Sequence, residues 1–133
     1  DYVRLRQPLP TSFSLTFDDK EENTDQIESV VRNVSTDGAC VIIPTWHKQL
    51  ISKIKPKKTA IELSIAFLNS PDRVKAKGKI VWVRPVKTDE KEDFAALVGV
   101  YFETISKEAR EKIREHIVNQ FVTEYHDYRK PAK

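Results

Sequence analysis

Two short stretches of this chain hold the residue types that recognise a polar ligand. One is Asn33-Val34-Ser35-Thr36-Asp37-Gly38, with an amide, a hydroxyl and a glycine at its first, third and sixth positions. The other is the N-terminal segment, where Arg4 and Arg6 precede Pro8-Leu9-Pro10. A guanidinium is a planar fork of donors that pairs with phosphate or with two adjacent acceptors on a base edge, and it also stacks on flat rings. An Asn amide can reach a base edge or a phosphate, and a Ser hydroxyl can donate to phosphate. Glycine permits close backbone approach, or a positive φ that a side chain would forbid. The same residues suit plainer roles. Asn33, Ser35 and Gly38 would make a good turn between strands, and Arg4 and Arg6 would serve as solvated charges near a terminus.

Other chemistries find little support. With only Gly38, Gly78 and Gly99 available, there is no glycine-rich loop to cradle a triphosphate or dinucleotide cofactor. No Ser, His and acid fall into a nucleophilic pattern. His47, His116 and His126 are scattered without metal-ligand spacing. Asp18 and Asp19 sit in a polar stretch where solvation is their expected role. These observations favour a protein without catalysis, cofactor or metal. Cys40 lies between Ala39 and Val41 and reads as a buried thiol. A lone cysteine makes no internal disulfide, which suits a reducing, cytoplasmic setting. The net charge of +3 is too small to argue for nucleic acid. The run Lys75, Lys77, Lys79 alternates with Val74, Ala76 and Gly78, so its lysines are expected on one solvated strand face. No apolar run approaches the roughly 20 residues of a membrane span. The 133 residues suit one domain, residues 1–133. A start at Asp1 with no Met anywhere suggests a piece of a longer protein.

The elements that would position the candidate residues follow from periodicity. Phe13, Leu15 and Phe17 alternate with polar residues and predict a half-buried strand, leaving residues 1–12 as an arm outside it. Further strands are expected over 27–31, 39–43, 59–68, 73–86 and 94–103, with a bulge or bend at Gly78. Residues 46–58 read as irregular, with a short turn of helix. Trp46 and Trp82 are expected in core or barrel-end packing, and Arg84 at the surface. After residue 103 the period changes to that of a helix. Ser106 is a good N-cap with Ile105 at the staple position, and Ala109, Ile113, Ile117, Phe121 and Tyr125 share one face. The helix is expected over 106–128. Its apolar stripe continues through Val118 and Val122, longer than a small barrel end needs, which suggests contact with a second copy or a linked domain. Six short strands with turns between them predict a small antiparallel β-barrel over 13–103, followed by that helix.

Asn33 to Gly38, lying between two strands, resembles the PilZ pattern of Asp or Asn, any residue, Ser, two residues, Gly. Gly78-Lys79-Ile80-Val81-Trp82-Val83-Arg84 looks like that family's long fifth strand, and Val98-Gly99-Val100-Tyr101-Phe102 like its last. A C-terminal helix follows in both, so the resemblance covers nearly the whole chain. It implies a six-stranded PilZ-type barrel and a bacterial receptor for cyclic di-GMP that signals by conformational change to a downstream protein or a covalently linked domain. The implied ligand residues are Arg4, Arg6, Asn33, Ser35 and Gly38. The family's arginine pair, four residues apart, is matched in part. Either Arg6 is its second member and Tyr2 holds the first position, or Arg4 is the second and its partner precedes Asp1. A domain that has lost the nucleotide and acts only as a protein adaptor is the alternative. A barrel for single-stranded nucleic acid has less support, lacking a clear basic groove with aromatic platforms.

Overall fold

The computed structural model describes residues 3–17, 23–67, 71–87 and 93–129; the side chains of 3–7 and 121–129 are not described. The strands are β1 (Val3–Thr16), β2 (Ile27–Val34), β3 (Gly38–Pro44), β4 (Ala60–Ala66), β5 (Arg73–Pro85) and β6 (Phe94–Ile105). They close into an antiparallel barrel in the order β1-β2-β3-β6-β5-β4, with β1 returning to pair with β4. A short 3-10 segment, Thr45–Lys53, leaves the Pro44 end of β3. The helix α1 (Lys107–Arg129) follows β6.

Alternation builds the interior. Leu9, Thr11, Phe13 and Leu15 of β1 are fully buried, and so are Ile65 of β4, Ile80 of β5 and Val98 and Val100 of β6. Each such aliphatic or aromatic side chain contributes about 1.5–3 kcal/mol when withdrawn from water. Thr11, the polar member, satisfies its hydroxyl by donating to the Ser64 carbonyl at 2.9 Å. Lys75 and Lys77 point outward from β5, and Lys77 meets Glu62 of β4 at 3.3 Å. The alternating lysine run is therefore a solvated outer face, as its period indicates.

The start of β1 and the placement of both tryptophans differ from the sequence expectation. Within the segment expected as an arm, residues 3–12 do not lie outside the barrel. From Val3 it is already β1, and Leu9 and Thr11 are core residues. Pro8 and Pro10 argue against helix, but a strand tolerates proline where no ladder donor is required. The ladder is locally broken here. Arg4 pairs with Asn33 and Leu9 with Val31, so Leu5, Arg6, Gln7 and Pro8 together face only Arg32. The second difference is Trp82. Strict alternation from the buried Ile80 would turn it inward. A bulge between Ile80 and Trp82 turns it out instead, to 38% exposure. Trp46, also expected in packing, is 69% exposed on the 3-10 segment.

The helix starts as its cap predicts, with the Ala109 amide donating to Ser106 Oγ at 3.0 Å. Ala109 and Ile113 are buried, and Ile117 packs against the core at its margin. The His116 ring meets Phe67 edge-on, with centroids 5.0 Å apart. Val118 is exposed, and the expected packing of Phe121, Val122 and Tyr125 lies outside the described residues.

Candidate ligand-binding site

The β2–β3 turn is held from three directions. Inside it, Ser35 Oγ accepts the amides of Asp37 at 3.2 Å and Gly38 at 3.1 Å, while the Ser35 amide donates to the Gly38 carbonyl at 2.8 Å. From β6, the Phe102 amide donates to the Asp37 carbonyl at 2.8 Å. From α1, Arg110 Nη1 reaches Asp37 Oδ1 at 3.2 Å. The Ser35 hydroxyl is thus occupied by the turn itself, and Ser35 is nearly buried. Gly38 is buried and its φ is not positive, so no left-handed turn requires a glycine here.

Asn33 is placed by a second irregularity. β2 pairs Val31 with Val41 but Asn33 with Cys40, so Arg32 is an extra residue in the ladder. A bulge of this kind re-aims the side chains beside it. The Asn33 Oδ1 is buried yet accepts no hydrogen bond. Such an acceptor costs about 1–3 kcal/mol when left unpaired, and in a native protein it points to a missing donor. Arg4 stands directly across the ladder from Asn33. Arg6 falls in the stretch where pairing is broken. Their side chains are outside the description, so the structure relates them to the turn by strand register alone.

Beside Asn33 the outer wall is both apolar and cationic. Cys40, Phe94 and Leu97 form a small buried cluster on the outside of the barrel, with Ile42 and Val86 at its margin. The Arg32 guanidinium lies 6.0 Å from the centre of the Phe94 ring. Burial pushes the Cys40 thiol above its ordinary pKa, and Arg32 and Arg84 only partly offset this. Cys40 is therefore held as a protonated, unreactive thiol. A cleft of about 350 Å³ lies elsewhere, lined by Gln26, Glu62, Ser64, Lys75, Lys77 and Thr104 among others, and contains none of the turn residues.

Sequence reasoning put Asn33, Ser35 and Gly38 in one turn; the fold places Asn33 near the end of β2, Ser35 in the connection and Gly38 at the start of β3. It missed Asp37, Arg110, Arg32 and the outward Trp82. Asp37 could have been found, since it sits within the six-residue stretch. Arg110 had no local signal, because only tertiary packing brings it across to a turn 73 positions earlier.

Among the described residues, no three His, Cys, Asp or Glu gather as metal ligands, and no helix is long and apolar enough to cross a membrane. No curated protein matches the chain. Solved structures do. The chain is similar to the Bacillus subtilis inhibitor of motility, MotI/DgrA, at 11% identity and TM-score 0.65, over 92% of this chain and 51% of that one. It is similar to the PilZ domain of YcgR from Escherichia coli, solved with c-di-GMP, at 10% identity and TM-score 0.58, over 98% and 96%. It is also similar to MrkH, a c-di-GMP-dependent transcription regulatory factor, at 10% identity and TM-score 0.62, over 91% and 49%. The chain thus spans about half the length of MotI/DgrA and of MrkH. Residues 1–119 match the family model described as the PilZ domain, and with the closed barrel and trailing helix already in view, the chain belongs to the PilZ domain family.

Proposed function

We propose that this domain is a bacterial, cytoplasmic receptor module for cyclic di-GMP, bound where the start of β1 meets the β2–β3 turn. The observation that carries the reading is Asn33: a buried amide oxygen without a donor, opposite Arg4, beside a turn already held in shape. Guanine supplies the missing donor through its amino group, and its O6 and N7 suit an arginine fork. Two phosphates per ligand give the remaining arginine a partner. The solved neighbours described as binding or depending on c-di-GMP support the same ligand class. Register favours Arg4 as the family's arginine, since it faces Asn33 while Arg6 lies off the ladder. Ser35 acts as a positioning residue that sets the turn.

The route to an output runs through Asp37. This residue follows the ligand turn by its own backbone and holds Arg110 of α1 by its carboxylate. An exposed ion pair of this kind contributes only about 0–1 kcal/mol. A phosphate arriving nearby can therefore redirect Arg110 at little cost, which shifts how α1 meets a downstream protein or a linked domain. The module needs no catalysis for this.

Calorimetric titration with cyclic di-GMP tests the reading. Binding is expected; Arg4→Ala should weaken it ten-fold or more, since bonds to charged groups contribute roughly 1.5–3 kcal/mol, and Asn33→Val should weaken it several-fold, since a neutral bond contributes about 0.5–1.5 kcal/mol. Absence of binding at high micromolar ligand would replace this reading with that of a protein adaptor.

A further inference from the structure

The bulge that places Asn33 also places the residue before it. Val31 and Val34 are both fully buried in the barrel interior, and the two residues between them are half-buried. In a regular strand one of two adjacent residues turns inward. The extra residue in the ladder with β3 breaks that alternation. The Arg32 guanidinium lies against the ring of Phe94, a member of the cluster on the outside of the barrel. Asn33 is the direct partner of Cys40, another member of that cluster, and directly paired residues share a face. Arg32 and Asn33 thus stand side by side on the outer wall.

What the two side chains lack is complementary. Asn33 Oδ1 is a buried acceptor without a donor. Arg32 is the reverse case. A guanidinium carries five donors and no acceptor, and among the described residues that of Arg32 makes no hydrogen bond or ion pair. Attraction to the face of a ring still leaves the N–H groups at the guanidinium edge for an oxyanion. The neighbouring strand does not close over them in a regular ladder, since Leu5, Arg6, Gln7 and Pro8 have only Arg32 opposite. Covering Phe94 needs no more than the apolar stem of a long side chain. A charged fork without an anion, next to an amide without a donor, suits a ligand that carries both a donor edge and an oxyanion.

We propose that Arg32 is a ligand-binding residue, its guanidinium holding one phosphate of the dinucleotide while Asn33 beside it accepts from a guanine. This rests on the cyclic di-GMP reading above. The ligand has two phosphates, so Arg32 acts together with the N-terminal arginines and not in their place. A phosphate contact fixes position and carries no base information. Arg32 therefore supplies affinity, and Asn33 supplies the preference for guanine.

The test is calorimetry with cyclic di-GMP on the unsubstituted protein, Arg32→Ala and Arg32→Lys, with urea unfolding of each to check the fold. Arg32→Ala should weaken binding about ten-fold or more, and Arg32→Lys, which keeps the charge but loses the fork, several-fold. The urea midpoint of Arg32→Lys should match that of the unsubstituted protein. Phosphorus NMR of the bound ligand gives an independent readout, in which a phosphate resonance should shift between the unsubstituted protein and Arg32→Lys. Full affinity in Arg32→Ala, with Arg4→Ala still weakening the ligand, overturns the assignment of Arg32 and leaves the receptor reading standing. Weaker binding by both Arg32 variants with unchanged phosphorus resonances also overturns it, because the residue then acts only through the shape of the wall. Absence of binding by the unsubstituted protein overturns the receptor reading itself, and this assignment with it.

Discussion

Asn33, near the end of β2, and Ser35, in the turn that follows it, sit two residues apart, yet the structure gives them opposite effects on stability. Ser35→Ala removes an acceptor from two amides. The Asp37 amide is near solvent, but Gly38 is buried and its amide would be left unpaired. Losing one ordinary hydrogen bond and stranding one buried donor costs about 2–3 kcal/mol. Asn33→Val works the other way. Its Oδ1 has no donor to lose, and a β-branched residue suits a strand position better than Asn. Relief of the unpaired oxygen is expected to stabilise the unliganded protein by about 1 kcal/mol. Urea unfolding reads both. With a slope of about 1–3 kcal/mol/M for a small domain, the midpoint should fall by roughly 1 M for Ser35→Ala and rise by about 0.5 M for Asn33→Val, with slopes unchanged. Both substitutions should weaken cyclic di-GMP, the first by loosening the turn and the second by removing a contact. A midpoint for Ser35→Ala within about 0.2 M of the parent, or equal losses for both variants, would refute the assignment of one side chain to the turn and the other to the ligand.

Two glycines of the outer strands should differ in the same kind of experiment. A Cβ at Gly78 would lie 1.9 Å from the Tyr101 carbonyl oxygen, which is backbone, whereas the nearest atoms to one at Gly99 belong to the movable Trp82 ring; Gly78→Ala should cost about 3 kcal/mol or more and Gly99→Ala clearly less, and the reverse order in urea midpoints would contradict this packing. Ile113 is fully buried under α1 while Ile117 is marginal, so Ile113→Asp should lower the thermal midpoint much further than Ile117→Asp, and equal effects would misplace the helix. Burial against Phe67 holds the His116 imidazole below its ordinary pKa of 6.5. The unfolded chain then takes up the proton first, so the stabilisation is complete above about pH 6.5 and is lost as pH falls from there through the lower folded value. His116→Phe should flatten that decline, and an unchanged pH profile would show that His116 is not its source.

The sequence alone determined the element order. Period-two alternation located the strands because a closed barrel has one dry face and one wet face. The switch to a 3.6-residue period, with Ser106 before it, located α1. The Asn33-to-Gly38 turn was legible for the same reason, being a run of turn formers between two apolar stretches. The tertiary structure decided which side chains face where once the ladder slips. One extra residue at Arg32 and another near Val81 reverse the alternation, and such bulges answer to strand pairing and barrel curvature and not to local composition. The second of them turned Trp82 outward. The two prolines made residues 1–12 look like a free arm, but closing the barrel required a partner for β2 and β4, and β1 supplied it. Which hydroxyl is spent on the turn, which amide is left waiting for a donor, and which arginine of a distant helix reaches Asp37 are likewise three-dimensional facts. Each depends on groups far apart in the chain meeting within hydrogen-bonding distance, and a linear pattern carries no record of that.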